Sequence, residues 1–109
     1  MNEEKSVFLE YFGDYPLMRV LDFLIQGMDM DYSMTEIARN SGVGWSAFSE
    51  MWPNLVEKNI VVQTRKIGNA KLFKMNLKNS WVRELIKMDQ IITKAETENF
   101  FKKEKLVVA

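Results

Sequence analysis

The sequence predicts an α+β fold, mainly helical with one small β-hairpin. Three observations lead there. Apolar residues recur at spacings of three and four over residues 7–25, 34–58 and 80–103. Gly13, Gly27, Gly42 and Gly44 punctuate those runs where helices must stop or turn. One stretch, Val61 to Leu77, instead reads as strand, turn, strand around Gly68 and Asn69.

Taken in order, residues 3–12 place Val7, Phe8, Tyr11 and Phe12 on one face of a short N-terminal helix that Gly13 stops. Asp14 is the expected cap of a second helix. Pro16 sits in its first turn, and Leu17, Val20, Leu21, Leu24 and Ile25 form its broad apolar face up to Gly27. The segment MDMDY connects onward. Its Asp29 and Asp31 lack the glycine and the distal bidentate Glu of a calcium loop, so no metal is expected. Ser33 and Glu36 make an S-x-x-E capping box, which starts a helix at Met34. Asn40, Ser41 and Gly42 end it, and Gly44 precedes a further helix from Trp45 to about Lys58. Phe48, Met51, Trp52 and Leu55 share one face of that helix. Pro53 within it predicts a kink or restart near Ser49 to Trp52.

Strands are predicted at Val61 to Arg65 and Lys71 to Leu77, with IGNA as the turn between them. Ser80 is the expected cap of a last helix over 80–103. In it Trp81, Leu85, Met88, Ile92 and Ala95 alternate steps of four and three, the spacing of a helix-pairing seam. Ile86, Ile91 and Phe100 add apolar surface. The seam has two readings: contact with a second copy of the chain, or packing back onto its own domain.

Composition bounds the function. At 109 residues the chain suits a single domain over 1–109. Its 47% apolar and 28% charged residues are those of a soluble globular protein, and no run reaches the ~18 to 20 apolar residues of a membrane span. The start, MNEEKSVFLEYF, lacks the plan of a signal peptide, so a cytoplasmic location with no membrane partner is expected. With no Cys and no His, thiolate sites, cysteine nucleophiles and the commonest general base are missing. No glycine-rich phosphate loop or spaced carboxylate cluster is present either, so neither an enzyme nor a cofactor is expected.

Net charge is zero, but its distribution is uneven. Residues 1–57 carry ten acids and three bases, Lys5, Arg19 and Arg39, while residues 58–109 carry twelve bases and five acids. Between Lys58 and Lys78 lie six bases, Lys58, Arg65, Lys66, Lys71, Lys74 and Lys78, and no acid. Such asymmetry suits one surface facing a polyanion. A solvated hairpin with lysines guarding its edge is the competing reading.

The window from Met34 to Pro53 resembles the helix-turn-helix of winged-helix transcription regulators. Ile37 matches the inward aliphatic of the first helix, Ala38 the small crossing residue and Gly42 the turn glycine. Val43 matches the buried residue after the turn, and Phe48 and Met51 the inward face of the second helix. Ser41 departs from the pattern, where an apolar residue is usual. LVEKNIVVQTRKIGNAKLFKMN continues the likeness through a left-handed Asn and the wing hairpin. The resemblance, in the style of MarR-like and ArsR-like regulators and suited to an archaeal or mobile-element protein, extends over most of residues 14–95. It implies a winged-helix core over 14–78 and a C-terminal dimerisation helix over 80–103.

It also implies double-stranded DNA as partner and a homodimeric regulator, most simply a repressor. The alternative is a winged-helix protein-interaction or DNA-architecture module with partition or replication roles. A helix entering the major groove from Trp45 would present Gly44, Trp45, Ser46, Ala47, Ser49 and Glu50. None of these is Arg, Asn or Gln, so strong bidentate base contacts are missing there. Trp45 is open to two readings, as a groove contact or as packing against the first helix of the motif. Arg39, Arg65, Lys66, Asn69 and Lys71 are assigned to wing and backbone contacts with phosphate or the minor groove. Trp81, Leu85, Met88, Ile92 and Ala95 are assigned to the dimer. No residue pattern specifies a small-molecule effector.

Overall fold

Each helix boundary has an identifiable chemical cause. The computed structural model describes residues 5–108, with side chains as far as Lys103. Helix α1 (Val7–Phe12) starts where the Ser6 hydroxyl accepts a hydrogen bond from the Leu9 N–H at 3.1 Å. The same hydroxyl donates to Asp22 Oδ2 at 2.8 Å, tying the helix start to its neighbour. Gly13, at φ 98°, ends α1 as expected. Glu3 and Glu4 of the predicted helix lie outside the described residues.

Helix α2 (Pro16–Gln26) has Pro16 at its start, where a missing N–H costs nothing. Asp14 does not cap it. The N-cap is Tyr15, without a side-chain bond, and Asp14 instead receives Arg19 Nε and Nη2. A charge-assisted fork outweighs a single bond to a neutral N–H. Leu17 stays exposed, and the buried face is Val20, Leu21, Leu24 and Ile25.

A short strand that periodicity cannot reveal follows, β1 (Tyr32–Ser33). Ser33 then caps α3 (Met34–Ser41) through the full capping box. Its Oγ accepts from the Glu36 N–H, and Glu36 Oε1 accepts from the Ser33 N–H at 2.8 Å. That backbone bond holds the Glu36 carboxyl below its ordinary pKa. Ser41, the departure from the family pattern, is buried and satisfies its hydroxyl by donating to the Ile37 carbonyl. Gly42 closes the helix at φ 69°, a left-handed conformation in which a Cβ would also press on Arg19.

Helix α4 (Trp45–Glu57) runs through Pro53 without the restart that the proline predicts. Pro53 removes only its own bond to the Ser49 carbonyl, and Ser49 is exposed to water. Asn59, at φ 59°, turns the chain into β2 (Val61–Ile67). Strand β3 (Ala70–Met75) returns, so both strands reach closer to the turn than the predicted boundaries, leaving only Gly68 and Asn69 between them. Gly68 alone has positive φ, the sign pattern of a type II′ hairpin. The last helix, α5 (Ser80–Val108), is capped by Asn79 rather than Ser80. The Asn79 side chain accepts from the Trp81 N–H and its carbonyl from the Arg83 N–H, each at 3.1 Å. It also runs past the predicted end at residue 103.

The sheet has the order β1-β3-β2 and is antiparallel throughout. One core joins it to the helices. Phe8, Val20, Leu24, Ile37, Phe48, Met75 and Val82 are almost wholly buried and come from all five helices and β3. An aromatic column runs through its middle: Phe48 stacks on Trp52 at 5.0 Å, and Trp52 meets Phe73 edge-on at 5.1 Å. Helix α5 packs back on its own domain through Val82 and Ile86, and α1 lies against it, with the Tyr11 hydroxyl donating to Glu96 Oε2 at 3.3 Å. Among the described residues no helix is long and apolar enough to cross a membrane.

Because the capping box serves two backbone donors at once, Ser33→Ala should cost about 1 kcal/mol and lower the melting temperature by ~4–8 °C. Thermal unfolding followed by circular dichroism checks this.

Candidate nucleic-acid interface

Two elements place the predicted contact residues. The first is α4, whose buried face is set by Phe48, Trp52 and Leu55 at steps of four and three. Gly44, Trp45, Ser46, Ala47, Ser49 and Glu50 consequently all lie exposed. Gly44 is the N-cap and offers no side-chain bond, so the opening N–H groups of α4 have no side-chain acceptor there. Ser49 donates its hydroxyl to the Ser46 carbonyl at 3.1 Å and keeps its lone pairs free to accept.

Trp45 combines a packing contact with exposure. Its indole stacks on Phe48 of the same helix at 5.5 Å, and it remains 51% exposed. Half of a large apolar ring thus stands at the exposed start of α4. The angle between α3 and α4 is fixed at Gly42, where Val43 N–H bonds the Ala38 carbonyl at 3.0 Å and Arg19 Nη1 bonds the Gly42 carbonyl at 3.3 Å. Arg39 lies exposed in the last turn of α3.

The second element is the β2–β3 hairpin. Its register places Lys66 directly opposite Lys71, one pair short of the turn. Opposed residues in an antiparallel pair share a face, so two lysine side chains leave the wing on the same side, an arrangement that costs stability when nothing neutralises it. Both are exposed, as is Asn69 in the turn, and Ile67 adds an apolar side chain at the tip.

Arg65 is arranged differently from the free tip residue that the sequence suggests. A bulge between Gln63 and Arg65 leaves Thr64 out of the strand register, its hydroxyl within 3.3 Å of the Leu72 carbonyl of β3. Both Thr64 and Arg65 reach Asp31, just before β1. Arg65 Nε and Nη2 donate to the two carboxylate oxygens at 2.9 and 3.2 Å, and the Thr64 hydroxyl donates to the same group. These donors hold the Asp31 carboxyl down at about 2, Arg65 being the larger cause, and the pairing raises Arg65 in turn. Asp31 therefore anchors the root of the wing, which no feature of the MDMDY segment discloses. Its partners lie 33 and 34 residues away, across the sheet. Among the described residues no group of acids could hold a metal ion.

The predicted seam on α5 is exposed or half-buried along its length. Trp81, Leu85 and Met88 line a shallow groove of about 360 Å³ together with Ile91, which is 59% exposed. Ile92 is half-buried and Ala95 exposed. Ile86, expected as added apolar surface, faces the core with Val82, and both lie outside the predicted seam.

No family model matches this sequence, and no curated protein matches it. Solved structures do. The chain aligns over 92% of its length with 80% of the apo form of a substituted Lactococcus lactis ZitR, at 14% identity and a TM-score of 0.64. A second ZitR structure gives 0.58, where the chain spans only 66% of its length. The adhesin competence repressor AdcR from Streptococcus pyogenes matches over 90% of this chain and 72% of its own, at 12% identity and a TM-score of 0.58. Sso10a-2, a DNA-binding protein from Sulfolobus solfataricus, matches over 81% and 92%, at 12% identity and 0.50. The fold is a winged helix. In these terms α3 and α4 are the helix-turn-helix, β2 and β3 the wing, and α5 the appended C-terminal helix.

The Asp31 clasp gives a defined pH response. Its carboxyl is depressed in the folded winged helix, so its contribution to stability is present above the unfolded value of ~3.9 and is lost as pH falls towards 2. Asp31→Asn should flatten that part of the acid limb, measured as unfolding midpoint against pH from 5 to 2. An unchanged limb would show that the clasp contributes nothing.

Proposed function

We propose that this winged helix binds double-stranded DNA as a homodimer and acts as a transcription regulator, most simply a repressor. The observation that carries the reading is the Lys66–Lys71 pair, two like charges on one face of the wing of a fold whose α4 start is also exposed. A polyanion relieves that repulsion, and a duplex offers one negative charge every ~1.7 Å. The repressor named AdcR and the DNA-binding protein Sso10a-2 among the structural neighbours support the same reading.

In this reading Gly44 to Glu50 lie along the major groove. The N-terminal N–H groups of α4 hold a phosphate through the helix dipole, Ser46 and Ser49 bond to phosphate or base edges, and Trp45 contacts a sugar or a thymine methyl. Lys66, Lys71 and Asn69 contact backbone or minor groove at the wing, and Arg39 adds a phosphate contact from α3. Arg65 serves through the clasp, presenting its remaining donors with its stem fixed by Asp31. With no Arg, Asn or Gln on the exposed face of α4, affinity rests on the backbone and base preference is modest. That same deficit favours, as a second reading, a DNA-architecture or partition-type module on the same surface.

Trp81, Leu85, Met88 and Ile91 form the centre of the dimer contact, with Ile92 and Ala95 continuing it along α5. A twofold partner would cover their apolar surface and set two recognition helices about one DNA turn apart.

Binding to duplex DNA should weaken steeply with salt, and Lys66→Ala and Lys71→Ala should each lower the salt slope by about one while weakening all sequences alike. Substituting Ser46 or Ser49 should alter preference among sequences instead. Salt-independent binding, or an unchanged slope in the lysine variants, would refute the placement of the wing. Sedimentation at micromolar concentration should give a dimer that Met88→Glu converts to a monomer. A wild-type monomer would remove α5 as the interface.

A further inference from the structure

The exposed face of α4 carries an acid at its centre. Phe48, Trp52 and Leu55 turn inward, and at about 100° per residue the direction opposite them falls between Ser46 and Glu50. Glu50 is exposed, and no described group donates to its carboxylate or forms an ion pair with it. The hydroxyl of the adjacent Ser49 is directed elsewhere, to the Ser46 carbonyl at 3.1 Å. Nor does α4 hold a balancing cation, since Trp45–Glu57 contains no Lys or Arg.

Nothing in the fold accounts for this acid. It lies beyond the first turn of α4, where it would favour the helix dipole, and it holds no arginine as Asp14 and Asp31 do. On the DNA-binding reading, on which this inference rests, the same face lies along the major groove. A carboxylate there weakens binding to every sequence, because the phosphates repel it. Any interaction that offsets the repulsion must come from the bases.

The chemistry of the groove narrows the choice of base. An ionised carboxylate can only accept hydrogen bonds. Only two base edges in the major groove donate, the N4 amino group of cytosine and the N6 amino group of adenine, whereas guanine and thymine present acceptors. Adenine sets its N7 acceptor beside the amino group, where it opposes the second carboxylate oxygen. Cytosine has a C–H there instead.

We propose that Glu50 selects cytosine, its carboxylate accepting from the N4 amino group of one cytosine in each half-site of the bound duplex. Guanine or thymine at that position leaves the carboxylate stripped of water against another acceptor, and adenine serves one oxygen while opposing the other. Glu50 thus discriminates by rejection as much as by attraction, lowering affinity everywhere and least where cytosine stands. Ser46, one turn nearer the helix start on the same face, is left for a neighbouring base or phosphate.

Enrichment of bound duplexes from a random library tests this, with wild type, Glu50→Gln and Glu50→Ala compared at one salt concentration. Wild type should show cytosine at one position of the half-site, at least about tenfold over guanine or thymine, the equivalent of ~1.4 kcal/mol. In Glu50→Gln, whose amide both donates and accepts, that position should change to adenine through paired bonds to N6 and N7. Glu50→Ala should leave the position without preference. Both variants lose one negative charge and should hold random duplex more tightly than wild type at low salt. A Glu50 that faces only solvent would produce that tightening alone. The same base profile in all three proteins therefore overturns the proposal and leaves the DNA-binding reading standing, as does a cytosine preference that survives in Glu50→Ala. If wild type retains no duplex at any salt concentration, both fall.

Discussion

The arrangement of this domain depends on the aromatic column that passes from α4 into the sheet. Phe48 and Trp52 lie one helical turn apart, and Phe73 receives the Trp52 ring edge-on from the central strand. Large planar side chains locked in this way leave α4 little freedom to roll. The exposed face of α4 is therefore decided from inside: whatever Phe48 and Trp52 do not occupy becomes Gly44 to Glu50. Trp45 extends the stack by one ring to the helix start, so the outermost member of the column belongs to the core by contact and to the surface by exposure.

Around that column, acids hold cations in place at two points. Asp14 fixes Arg19, which in turn reaches the carbonyl of Gly42 at the tight turn. Asp31 fixes Arg65 at the base of the wing. Part of the acidic excess of the first half of the chain is thus spent locally on orienting basic side chains. The bases left without such partners include the exposed tip lysines, so the surface meeting a polyanion is smaller and better defined than the count of positive residues suggests.

Local chemistry was legible in the sequence wherever a single turn of chain decides the outcome. Ser33 with Glu36, Gly42 at the left-handed position, Asn59 before the hairpin and Gly68 in its turn all lie where the pattern places them. Two caps went elsewhere because neighbours competed. Arg19 draws Asp14 away from α2, and Asn79 serves α5 one residue earlier than Ser80. What the pattern could not carry is long-range pairing. Tyr32 and Ser33 become a strand only because β3 lies beside them. Asp31 becomes an anchor only once a bulge turns Thr64 and Arg65 towards it. On α5 the periodicity contained two interleaved faces, and spacing alone cannot say which of Val82 or Trp81 points inward. The candidate contact residues of α4 and the tip lysines are exposed as their sequence positions imply, whereas Arg65 and the seam on α5 required tertiary contacts to interpret.

The length of α5 turns its root into a pivot. At 1.5 Å per residue, the backbone beyond the last α1 contact, from Glu96 to Val108, reaches about 18 Å, so a tilt of about 10° there carries the far end through about 3 Å. A small angular error near the domain is magnified along the shaft, and so is a small angular adjustment. Rigid rods transmit such motion without any change in their own hydrogen bonding. The placement of the far end is therefore governed by a handful of atoms where α5 meets α1 and the core.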